Sequence, residues 1–173
     1  MHAFSYDSRH EVEIHRFPLL VYVLVSLVAL VLQAWLPRLV GPYVWFDFPL
    51  LVTIYFAMAR RNPVQGATIG CILGLLEDAL THRAIGINGI AKTVVGFLAA
   101  SVGVRIDVEN PTIRLLMTFA LSILSGAIYL FIFRFLLEMK LDWNWYNELF
   151  RAVGNTLIVA VLFHLLDRFK IRD

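Results

Sequence analysis

The chain has 173 residues, of which 60% are hydrophobic and 16% charged, against about 25% charged in soluble domains. A mean hydropathy of +0.74 excludes an ordinary soluble fold and leaves room for roughly five to seven membrane helices with no separate catalytic domain. The net charge of +2 is too small to imply nucleic acid, and the lone Cys71 excludes an internal disulfide or a multi-thiolate metal site.

Residues 1–16 are polar with mixed charge and are expected outside the membrane as a cytoplasmic N-terminal segment. Their His2, His10 and His15 fit no metal-site spacing. The first span covers 17–36; it is too long for a signal-peptide core, and Leu32-Gln33-Ala34 does not read as a cleavage site, so it is expected to stay attached. Pro37 to Pro42 should break that helix, with Trp35, Tyr43 and Trp45 as an interfacial aromatic belt. The second span, 46–59, opens with Asp47 and Pro49, an acid that complements the helix dipole and a proline suited to a first turn. Arg60-Arg61-Asn62-Pro63 ends it.

The third and fourth spans, 64–80 and 85–104, form a hairpin. Gly66, Gly70, Gly74 and Asp78 recur at a spacing that puts them on one helical face. In lipid, such small-residue stripes let backbones approach closely, either within the chain or with a partner. Gly86, Asn88, Gly89, Lys92 and Gly96 continue the contact face on the second helix. Cys71, beside Gly70, reads as a buried inert thiol.

After a hydrophilic connection at 105–111 comes the fifth span, 113–137, in which Ser122 and Ser125 beside Gly126 read as packing residues able to bond back to their own helix. An aromatic, acidic loop at 141–148 (Trp143, Trp145, Tyr146) precedes the sixth span, 149–166; residues 167–173 are a basic tail. His164 stands alone there as a packing or interfacial histidine. The expected architecture is therefore an all-α, six-helix transmembrane bundle over 17–166, flanked by cytoplasmic segments.

Placing the N-terminus inside puts nine Lys and Arg residues in cytoplasmic connections and three, Arg38, Arg83 and Lys140, outside. That bias predicts both termini in the cytoplasm. Glu77, Asp78, Lys92, Arg134, Arg151 and Asn155 then gather toward the outer leaflet as an intramembrane polar cluster. Ionisable groups at such depth cost about 2.5–3.5 kcal/mol each on insertion scales and face partners or polar cavities. Arg134 and Arg151 could equally snorkel to the interface. Lys92, roughly 10 Å below its helix start, needs a counter-charge; Asp78 is the expected partner, with Glu77 the fallback. Neighbouring Glu77 and Asp78 point about 100° apart and do not form an acid–base pair. No nucleophile set, phosphate loop or zinc spacing appears, so no enzyme activity and no cofactor are expected.

Several of these segments together resemble the bacterial rod-shape-determining MreD family: residues 48–55 leading to Arg60-Arg61, the run from Gly66 to Asp78, Ile85-Gly86-Ile87-Asn88-Gly89, and the last span with Asn155 and its basic tail. The family's Pro-Asp order is reversed at Phe46-Asp47-Phe48-Pro49, so the resemblance gives Asp47 no role. It implies a non-enzymatic scaffold of the cell-elongation, peptidoglycan-synthesising complex in the bacterial cytoplasmic membrane. Its implied partners are an MreC-like single-span protein, the RodA polymerase with its transpeptidase, and MreB filaments. It also implies a fold similar to the substrate-binding subunits of energy-coupling-factor transporters. A small-molecule-binding transporter subunit is accordingly the alternative function.

Overall fold

The computed structural model describes residues 18–40, 46–82, 84–106, 110–137 and 144–167. The readings of His2, His10, His15, Tyr43, Trp45, Trp143 and the His164 side chain fall outside the description. Six α-helices follow one another: α1 (Leu19–Val40), α2 (Phe48–Arg60), α3 (Pro63–Leu80), α4 (Ile87–Gly103), α5 (Pro111–Phe131) and α6 (Trp145–Asp167). A single π-helical turn, Ile132–Leu136, extends α5, and no strand occurs among the described residues.

Three helices start in the same way, with a short polar side chain followed at once or one residue later by proline. Asp47 accepts from the Leu50 N–H, Asn62 from those of Val64 and Gln65, and Asn110 from that of Thr112. Each cap satisfies backbone donors that the first turn leaves without a partner, and the proline gives up an N–H that would have had none.

α2 is the centre of the molecule. Every residue from Pro49 to Ala59 is buried, with α1, the α3–α4 hairpin and the α5–α6 pair packed around it. A helix apolar on all sides belongs in the middle of a bundle. The ring of Tyr22 of α1 lies tilted against Phe56 of α2 at 4.3 Å between ring centroids, and Tyr55 meets Phe163 of α6 edge-on at 4.9 Å. The outer helices turn large apolar side chains outward, for instance Leu20, Val23, Leu27 and Val31 on α1 and Leu116 and Phe131 on α5. α1 (over Leu19–Leu39) and the α5–π segment (Pro111–Leu136) are long and apolar enough to cross a membrane, and α2 and α4 are shorter apolar helices.

Three local expectations are corrected. α1 runs through Pro37 and ends at Val40, within the stretch expected to break it but four residues past the expected end of the span. Proline removes one intrahelical hydrogen bond, whereas ending the helix would strip several backbone groups of partners in apolar surroundings. α6 begins at Trp145, four residues before the expected start, because Asn144 accepts from the Tyr146 N–H and Glu148 puts an acid in the first turn. Cys71 is half-exposed, not buried, because it sits to one side of the glycine stripe.

A buried ion network at one end of the bundle

The glycine stripe of α3 lies against the backbone of α4. A methyl group at Gly66 would overlap the carbonyl oxygen of Gly96, one at Gly70 that of Lys92, and one at Gly74 that of Asn88. Gly96 faces Gly66 in return. Gly89 packs under Leu75, whose side chain would lie 2.9 Å from an added Cβ. The stripe is thus an internal seam, and it brings α4 close enough for Lys92 to reach across to the last turns of α3. Gly86 belongs elsewhere: nothing lies near an added Cβ, but its φ of 106° is the left-handed conformation that the turn requires.

Asp78 closes the hairpin through hydrogen bonds, not through Lys92. Its Oδ2 accepts from the backbone N–H groups of Gly86 (2.9 Å), Asn88 (3.1 Å) and Gly89 (3.4 Å), and its Oδ1 from Asn88 Nδ2 (2.7 Å). α4 has no side-chain cap from its own N-cap residue, Gly86, so Asp78 supplies it from the preceding helix. A carboxylate at a helix N-terminus is stabilised by the free N–H groups and the dipole together. In place of the expected Asp78–Lys92 ion pair, Lys92 reaches two other acids. Lys92 Nζ lies 2.6 Å from Glu77 Oε2, the fallback partner, and 3.0 Å from Asp47 Oδ2.

Asp47 is the node to which the other groups converge. Its Oδ2 accepts from Lys92 Nζ and from Arg151 Nη2, each at 3.0 Å, and its Oδ1 from the Leu50 N–H at 2.9 Å. Its own N–H donates to Asn155 Oδ1 at 2.9 Å, and Asn155 Nδ2 donates to Ser122 Oγ at 3.2 Å. Ser122 is thus bonded across to α6 instead of back to its own helix. One residue on, the Phe48 N–H donates to Gln33 Oε1 of α1 at 3.1 Å. Arg151 Nη1 reaches Glu148 Oε1 at 3.4 Å, and that carboxylate sits against the bare backbone of Gly126 on α5.

Every helix therefore contributes to one connected set: Gln33, Asp47, Glu77, Lys92, Ser122, and Glu148, Arg151 and Asn155 together. Asp47, Lys92 and Asn155 have no exposed surface and Glu77 only 1%, while the Arg151 and Glu148 side chains are 24% and 15% exposed. Charges so deep are tolerated only when paired and hydrogen-bonded, and removing one partner of such a pair costs about 3–5 kcal/mol. The network is a lock on the relative positions of the helices, and its charges are satisfied mostly by one another.

Of the expected cluster, Glu77, Lys92, Arg151 and Asn155 come together. Asp78 lies beside them in a separate capping role, and Arg134 is exposed on the π-helical turn. Asp47, Gln33, Glu148 and Ser122 were missed as members. The helix-start signal of Asp47-Phe48-Pro49 is visible in the sequence, but its partners Lys92 and Arg151 are 45 and 104 residues away. Among the described residues no group of three or more His, Cys, Asp or Glu side chains is placed to hold a metal ion.

A family model described as rod shape-determining protein MreD matches residues 14–169 of the chain. No curated protein and no solved structure matches it.

Proposed function

The chain belongs to the rod shape-determining protein MreD family, which gives it a role in rod-shape determination, and from that premise we propose a membrane-embedded, non-enzymatic scaffold of the cell-elongation machinery. In this reading it spans the cytoplasmic membrane six times with both termini inside and holds an MreC-like single-span protein in the complex. Through that protein, or directly, it connects the RodA polymerase and its transpeptidase to MreB filaments.

The observation that carries the reading is the convergence of all six helices on the Asp47 network, with the glycine seam fixing α3 against α4. The polar groups hold the bundle together, while the outer faces stay apolar. A rigid body with apolar faces is what a helix-docking scaffold requires, because helices in lipid associate through shape and close packing.

The likeness to energy-coupling-factor subunits rests on the resemblance alone. For a transporter subunit, the polar end would have to open toward a ligand, whereas Asp47, Lys92 and Arg151 are paired with one another.

The test is affinity capture of the full chain from native membranes in mild detergent. Stoichiometric recovery of a single-span membrane protein supports the scaffold. Recovery of the chain alone, carrying a bound small molecule, replaces it with the transporter reading. The orientation is checked by cysteine labelling at Ser8 and Lys140 after replacement of Cys71. Reaction of both sites from the same side of the membrane would overturn the six-span arrangement.

A further inference from the structure

Among the described residues the network contains one more acid than it has cations. Asp47 and Glu148 balance Lys92 and Arg151, which leaves Glu77 as the surplus carboxyl. Asp78, the adjacent acid on α3, does not draw on those cations, because backbone N–H groups and Asn88 satisfy it.

The hydrogen bonds divide the acids in the same way. Asp47 receives three well-aligned donors, the Leu50 N–H, Lys92 and Arg151. Both oxygens of Glu77 are fully buried, and among the described residues a single donor approaches them, Lys92 Nζ at 2.6 Å from Oε2. An ionised carboxylate offers about four lone-pair sites that need donors, and leaving such a charge buried without them is far more costly than burying the neutral acid. Among the described residues the charged groups that face Glu77 are Lys92 from α4, Asp47 from the start of α2, and Arg151 with Glu148 beyond it from α6.

We propose that Glu77 is a proton-binding site: in the packed state it is the neutral acid of an otherwise charge-balanced network. The ammonium of Lys92 then makes an ion pair with Asp47 and an ion–dipole contact with the Glu77 carbonyl oxygen. Release of the proton places an uncompensated negative charge between α3 and the start of α2 and loosens this end of the bundle. Proton occupancy at Glu77 thus sets how tightly the α3–α4 hairpin is held to α2 and α6. This inference stands on the network itself and does not depend on which partner the chain docks.

The experiment uses the full chain in lipid nanodiscs and asks which acid carries the charge opposite Lys92. Lys92→Met leaves one negative charge without a cation, and Asp47→Asn in the same chain restores the balance, whereas Glu77→Gln does not. The expected result is that K92M/D47N regains more than half of the melting temperature lost by K92M, and K92M/E77Q regains none. Infrared spectra at neutral pH should show a protonated carboxylic-acid carbonyl band that E77Q removes. Gln is the isostere of the neutral acid, so E77Q alone should fold. Rescue of K92M by E77Q equal to or better than that by D47N overturns the proposal. So does a carbonyl band region unchanged by E77Q, or failure of E77Q to fold.

Discussion

Replacing Gly70 by alanine tests the seam and the network together. An added methyl at Gly70 overlaps the carbonyl oxygen of Lys92, sits 2.6 Å from its carbonyl carbon and 3.1 Å from the Thr93 nitrogen, where ordinary contact begins at 3.4 Å. All three atoms are backbone, so no rotamer change relieves the overlap, and α3 and α4 must part by roughly 1 Å or more. Overpacking of this kind costs about 1–3 kcal/mol. The displaced residue is Lys92 itself, so its ammonium is drawn away from Glu77 and Asp47, and part of the roughly 3–5 kcal/mol of a broken buried pair is added. The expected total is about 3–5 kcal/mol, a drop in melting temperature of roughly 6–20 °C for a chain of this size. Thermal unfolding in detergent or nanodiscs, followed by loss of the monodisperse species, measures it. Gly126→Ala is the comparison: there the methyl meets only the end of the flexible Glu148 side chain, and the loss should be under half as large. If Gly70→Ala melts within about 2 °C of the parent, or no lower than Gly126→Ala, backbone contact along the seam is refuted.

Asp78→Ala removes the acceptor for three backbone N–H groups and the Asn88 amide. It should cost about 2–4 kcal/mol, with faster hydrogen exchange at Gly86, Asn88 and Gly89 than elsewhere in α4; unchanged exchange there would falsify the capping role. Asn155→Ala leaves the buried Asp47 N–H without its acceptor and Ser122 Oγ without its donor. A loss of about 1–3 kcal/mol is expected in the same melting assay, and a neutral result would mean that α6 is not tied to α2 through this amide.

The sequence by itself determined the chemistry of the elements. Hydropathy and the break at Arg60-Arg61-Asn62-Pro63 marked helices to within a few residues, and Asp47 with Pro49 marked one start, because helix-end signals are local interactions. The spacing of Gly66, Gly70 and Gly74 gave the close-packing face, since i and i+4 share a side of any helix. It did not say what lies against that face. Only the tertiary structure made the seam internal, by laying the backbone of Gly96, Lys92 and Asn88 along it. The cluster divides in the same way. Charges at Glu77, Lys92 and Arg151 are conspicuous within apolar runs, so their need for partners was legible. Their pairing was not, because Coulomb attraction and hydrogen bonding depend on distance in space. Asp47, read locally as a helix start, became the shared partner once the bundle placed α2 at its centre. Asp78, the nearer acid to Lys92 along the glycine face, was drawn instead to the uncapped N–H groups of α4, leaving the lysine to Glu77 and Asp47.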